Sequence, residues 1–152
     1  MLLLLFEIGS GRYVLDINQI IEIIPLVNFK KIPHTPDFVA GLINYRGKGI
    51  PVIDLNQLVD SVPFEDVLST RIIIINYPLT DEGNNPLALI ANNVIETVRI
   101  NMTVPPSSGI IMEKSLYDDE AISDTNDMIQ WFDPQKMLPQ KVISSLFEGK
   151  NN

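Results

Sequence analysis

The chain has 152 residues, 19 of them acidic and 11 basic, with one histidine, no cysteine and a formal net charge of −8. That length suits one domain or two very small subdomains, and 45% apolar residues suffice for a packed core. Lack of cysteine excludes disulfides, thiolate metal sites and a cysteine nucleophile, while the acidic balance argues against nucleic-acid binding, which needs Lys and Arg to displace phosphate counterions.

Short apolar runs bounded by turn residues recur from the first residue onward. Leu2–Ile8 predicts a buried strand. It is a poor signal peptide, because no basic region precedes it and no small-residue cleavage site follows. No run nears the roughly 18 apolar residues of a membrane helix. The expectation is a cytoplasmic chain with no membrane insertion. Gly9-Ser10-Gly11 predicts a turn and Arg12–Asp16 a second strand, completing a hairpin. Residues 18–23 fit a helical turn or a strand, since the isoleucines from Ile20 onward follow neither period cleanly. Pro33 and Pro36 make Lys31–Pro36 irregular, with His34 a surface loop residue. Phe38–Asn44 leads into a strand, Tyr45–Gly49 turns, and Ile50–Ile53 returns. Asp54 then stands as an N-cap before a short helix, Leu55–Leu58. In the second half, Arg71–Asn76 is the clearest strand, Leu87–Ala91 returns, and Val94–Ile100 continues it. Residues 105–109 form a loop and Met128–Phe132 a strand. Asp133-Pro134 opens a helix with proline at its first position, and Lys141–Phe147 forms a last helix.

The two halves resemble each other. At an offset of 74, Leu15, Asn18, Ile21 and Glu22 match Leu89, Asn92, Ile95 and Glu96. Each copy follows a strand, precedes a proline segment, and leads to a strand–Asp–short helix unit at Asp54 or Asp133. This predicts two similar β-units, residues 2–58 and 71–138, within a single domain spanning 1–152. Neither is large enough for a sizeable core of its own, so strands of one unit should complete the other. Short strands with frequent turns favour barrels.

Enzymatic readings fail by inventory. One histidine between prolines offers no metal spacing, and the chain has neither a Gly-x-Ser-x-Gly elbow nor a P-loop. No cofactor, metal or catalytic residue is expected. Asp54 and Asp133 resemble a paired-carboxylate site by position, but the Asp-Thr/Ser-Gly context of an aspartic-protease dyad is absent and helix capping explains both. A hydrolase using them stays as an alternative, as does a generic β-barrel binding module. Arg46 lies beside a turn in an apolar region and should find a carboxylate, for which Glu22 is the candidate. The pair can brace the fold, contact a partner, or do both.

At these residues the sequence resembles the CheW-like domain of chemotaxis coupling proteins. The resemblance runs through Phe6–Ile17, Ile20–Ile24, Ile32–Gly47 and Ile50–Leu55, and more loosely through Arg71–Asn76, Leu87–Val98 and Phe132–Leu138. It implies an all-β fold of two intertwined five-stranded, SH3-like barrels. It implies a non-catalytic adaptor whose partners are the regulatory domain of a CheA-type histidine kinase and the cytoplasmic tip of a methyl-accepting chemoreceptor. That adaptor serves chemotaxis or a related chemosensory system such as pilus motility. By the same resemblance, Arg46 and Glu22 belong to the coupling region, Gly41, Asn44 and Gly47 shape its hairpin, and Ile20 is an exposed apolar contact beside Glu22. Two departures stand out. Tyr45 takes a place where leucine is common. Residues 113–127 hold six acids and one base, for a net −5, where a glycine-rich hairpin is expected. That stretch reads as a solvated loop or a partner-selecting surface.

Overall fold

Strand Leu2–Ile8 (β1) is apolar on both faces because both faces are covered. Leu3 and Leu5 point into one core while Leu4, Phe6 and Ile8 point into another. The same holds for Arg71–Asn76 (β6), where Ile72 and Ile74 face one core and Ile73 and Ile75 the other. A strand buried on both sides loses the alternation of a half-exposed one, which is why these runs read as unbroken apolar stretches. The computed structural model describes residues 1–79, 84–112 and 128–148. The acidic segment 113–127 lies outside them.

The remaining elements are β2 (Gly11–Asp16), β3 (Ile20–Pro25), β4 (Val39–Tyr45), β5 (Lys48–Asp54), β7 (Pro86–Ala91), β8 (Asn93–Arg99), β9 (Ile110–Met112) and β10 (Met128–Trp131). Among the described residues three short α-helices accompany them: α1 (Leu55–Asp60), α2 (Pro134–Met137) and α3 (Gln140–Glu148). None is long and apolar enough to cross a membrane. The strands form two five-stranded sheets, ordered β8-β1-β2-β10-β9 and β3-β6-β7-β5-β4. Each sheet takes one hairpin from one half of the chain and three strands from the other. Both contain one parallel pair at the matching place, β10 on β2 and β5 on β7. The strand exchange expected from the repeat is therefore present.

In the second of these sheets the segment after β3 bridges to β4, the opposite edge strand. Beyond β3 the chain reaches Lys30, whose N–H donates to the Leu42 carbonyl at 2.8 Å, while the Leu42 N–H donates back at 2.7 Å. Gly41 makes this approach possible. A Cβ there would sit 2.2 Å from the Lys30 carbonyl oxygen, and the residue has φ +152°.

Three cores result. One fills the first sheet (Leu3, Leu5, Val14, Ile129, Trp131) and one the second (Ile43, Ile50, Val52, Ile72, Ile74). The third lies between them and includes Phe6, Tyr13 and Phe132, whose ring centroids are 5.8–6.4 Å apart. It joins the halves through apolar burial worth about 1.5–3 kcal/mol per large side chain.

Three sequence expectations change. Residues 17–19 form a 3-10 turn and Ile20 starts a strand, which resolves the ambiguity there. Val94–Ile100 does not extend the preceding strand. The chain breaks at Asn92 and β8 crosses to pair with β1. Strand β9 was not expected at all. At three residues it is too short to show a period.

Candidate functional site

The β4–β5 hairpin ends in a two-residue turn. Tyr45 pairs with Lys48, leaving Arg46 (φ 52°) and Gly47 (φ 84°) as the turn residues. Positive φ at both positions is the type I′ geometry, whose twist matches that of the flanking strands. Glycine accepts it freely, whereas arginine adopts it at some cost in strain. The Asn44 side-chain oxygen accepts a hydrogen bond from the Gly47 N–H at 3.0 Å and locks the turn. The arginine is thus held at the tip of a rigid hairpin, with its side chain 74% exposed.

Glu22 reaches this turn from β3. Its strand alternates, with Ile20, Glu22 and Ile24 turned partly inward and Ile21, Ile23 and Pro25 outward. The register against β6 shifts between Ile20 and Glu22 while this alternation continues. Ile20 consequently packs against the inter-sheet core rather than standing exposed beside Glu22, as the sequence suggested. The exposed neighbours of Glu22 are Ile21 and Ile23.

Sheet closure brings Glu22 and Arg46 together. Arg46 Nη2 donates to Glu22 Oε2 at 3.1 Å, and the Tyr45 hydroxyl donates to the same oxygen at 2.6 Å. The guanidinium carbon lies 5.1 Å from the centre of the Tyr45 ring, in cation–π range. The hydrogen bond to Glu22 is the main reason the Tyr45 phenol is held above its ordinary value of 10.0; slight burial adds to it and Arg46 opposes it. Three side chains therefore form one cluster at the tip, where sequence reasoning placed two. The departure from leucine marked Tyr45 as unusual, but spacing alone could not reveal which residue its hydroxyl meets.

Of the six expected site residues, Glu22, Asn44, Arg46 and Gly47 lie at this tip. Gly41 acts at the Lys30 crossing and Ile20 on the inter-sheet core. A cleft of ≈ 560 Å³ runs along the flank of the hairpin, lined by Leu42, Ile50, Leu79, Pro86 and Phe147, with Lys48 at its edge.

Asp54 and Asp133 do not form a shared site. Asp54 accepts from the N–H groups of Asn56 and Gln57 at 3.1 and 3.2 Å, and from Phe64 N–H at 3.0 Å. Asp133 caps α2 by accepting from Gln135 N–H at 3.0 Å. Each carboxylate is engaged at its own helix start. His34 is exposed in a loop with φ 61°. Among the described residues no cluster of His, Asp and Glu could hold a metal ion.

Two interlocked five-stranded sheets with a charged hairpin tip define an all-β, barrel-like module. The CheW-like domain family matches residues 2–142, and the chain belongs to it. It is 27% identical over 99 residues to the chemotaxis protein CheW of Helicobacter pylori, covering 64% of this chain and 56% of that one. The chemotaxis protein CheW of Klebsiella aerogenes is likewise 27% identical over 99 residues, covering 64% and 55%. The aligned stretch thus spans little more than half the length of these relatives. The crystal structure of the scaffolding protein TtCheW from Thermoanaerobacter tengcongensis superposes with a TM-score of 0.67 at 27% identity. It covers 91% of this chain and 87% of that one.

Proposed function

We propose that this chain is a non-catalytic cytoplasmic adaptor that couples chemoreceptors to a CheA-type histidine kinase. The observation that carries this reading is the family match over residues 2–142. The Glu22–Tyr45–Arg46 cluster, set at the tip of a rigid hairpin, supports it. The kinase partner is its regulatory domain. The receptor partner is the cytoplasmic tip, a helical element suited to an apolar groove such as the cleft beside Leu42 and Ile50. Glu22, Asn44, Arg46 and Gly47 form the coupling surface, while Gly41 and Ile20 hold it in place from behind.

Binding of the full chain to the kinase regulatory domain and to the receptor tip tests this. A Kd in the micromolar range or below is expected for at least one partner. Glu22→Arg and Arg46→Glu should each abolish binding; Arg46→Glu should change stability by less than about 1 kcal/mol, the value of an exposed ion pair, while Glu22→Arg also loses the Tyr45 hydrogen bond, about 1.5–3 kcal/mol. The double exchange restores the pair with reversed polarity and should remain folded without binding. Recovery in the double would make the pair a brace rather than a contact. No binding to either partner by the unmodified chain would end the proposal.

A further inference from the structure

We propose that Tyr45 is a positioning residue that holds Glu22 in place while Arg46 leaves it to bind a carboxylate on the docking partner. This deepens the adaptor reading and rests on it. Two donors converge on one acceptor. The Tyr45 hydroxyl and Arg46 Nη2 both donate to Glu22 Oε2, and the tyrosine bond is the shorter, at 2.6 Å against 3.1 Å. A hydroxyl-to-carboxylate bond of that length is among the strong, charge-assisted kind. The arginine bond uses one of five guanidinium N–H donors and lies on a side chain 74% exposed, where an ion pair is weak.

The two donors also differ in tethering. Tyr45 is a β4 strand residue, paired with Lys48 in the ladder. Arg46 is a turn residue whose long side chain projects from the tip. Glu22 is 39% exposed and sits between Ile20 and Ile24, which pack inward, so loss of every donor would leave a carboxylate half-buried among apolar neighbours. With Tyr45 in place that cost does not arise. Arg46 can turn its planar donor fork to a partner carboxylate, the group it matches best. The Tyr45 ring beneath the guanidinium keeps the charge near the surface in either position. The raised phenol of Tyr45 agrees with a hydroxyl committed to Glu22.

The test compares Tyr45→Phe, Arg46→Ala and Glu22→Gln in the full chain. Two readouts are needed: titration of the Tyr45 phenol by carbon NMR, and binding to the kinase regulatory domain and the receptor tip fragment. Arg46→Ala should leave the Tyr45 phenol raised, and Glu22→Gln should return it toward the ordinary value. Arg46→Ala should lose binding at least tenfold. Tyr45→Phe should weaken binding about tenfold or more, the effect of one charge-assisted hydrogen bond, with Trp131 fluorescence unchanged. Return of the phenol to its ordinary value in Arg46→Ala would overturn the proposal, since Arg46 would then be what holds Glu22. Wild-type binding by Tyr45→Phe, alongside loss in Arg46→Ala, would overturn it while leaving the adaptor reading intact. Wild-type binding by Arg46→Ala would remove Arg46 from the coupling surface and the proposal with it.

Discussion

Asp54 accepts three backbone hydrogen bonds, two from the first turn of α1 and one from the loop after it. An aspartate before Leu55-Asn56 announces an N-cap, and the cap is there. The third hydrogen bond, from Phe64 N–H to Oδ2, depends on the loop after α1 folding back and has no local signature. Asp54 is only 4% exposed, and burial pushes its carboxyl above the ordinary value of 3.8 although three N–H donors pull it down. Asp54→Ala orphans all three donors and should cost about 2–4 kcal/mol in urea unfolding. Asp54→Asn keeps the cap through its oxygen but opposes Phe64 N–H with its own NH₂, and should cost about half as much. The pH dependence follows from the sign of the shift. A carboxyl raised in the folded state binds more protons there than in the unfolded chain. Its contribution is therefore complete below 3.8 and lost as pH rises through the raised value. The stability gap between the wild type and Asp54→Asn should be wider at pH 4 than at pH 7. A gap that narrows on acidification would show that the hydrogen bonds, not burial, dominate. Ile20 is the opposite case. Its partly inward placement follows from the phase of the β3 alternation, which puts Ile20, Glu22 and Ile24 on one side, and an unbroken run of isoleucines does not reveal that phase.

At the scale of elements, the strands with strong apolar content were legible and their partners were not. Ile72–Ile75 could only be a strand, yet nothing in it says that it pairs with β3 from the other half of the chain. The Lys30–Leu42 crossing was hidden for a similar reason, since residues 26–32 mix apolar and polar side chains without a strand period and only an isolated backbone bridge joins them to β4. Its trace in the sequence is Gly41. Gly41→Ala would place a methyl group 2.2 Å from the Lys30 carbonyl oxygen while holding a φ that L residues avoid. The expected loss is about 2–4 kcal/mol, with faster hydrogen exchange at the Lys30 and Leu42 amides than at amides of β1. Gly47→Ala meets nothing within 4 Å at its Cβ and bears only the backbone strain of φ +84°, so it should cost about 1 kcal/mol. Equal losses at the two glycines would mean that the crossing does not hold the sheet closed. The Tyr45 bond to Glu22 belongs to the same geometry. Once β3 and β4 are brought together at the closure, residues 23 apart in the chain share one carboxylate oxygen.

For the whole molecule, the offset of 74 between the halves carried more structural information than any single motif. It predicted an exchange of strands, and the observed exchange goes further than completing one barrel with the other. The sheet that contains β1 and β2 also contains β8, β9 and β10, while β3, β4 and β5 leave for the other sheet. Neither half can therefore form its sheet without the other half already in place. The core between the sheets draws Leu4, Phe6 and Ile8 against Ile73, Ile75 and Leu89, so it cannot form early either. Such interdependence should make unfolding all-or-none although the architecture contains two barrels. Trp131, the single tryptophan, reports on the first sheet, and Ile74 is buried in the second. Ile74→Ala should remove about 2–5 kcal/mol. It should lower the urea midpoint of Trp131 fluorescence by the same amount as that of far-UV circular dichroism. If Trp131 kept its wild-type midpoint while the dichroism split into two steps, the sheets would be independent folding units. The strand exchange would then organise the topology without coupling the stability of the two barrels.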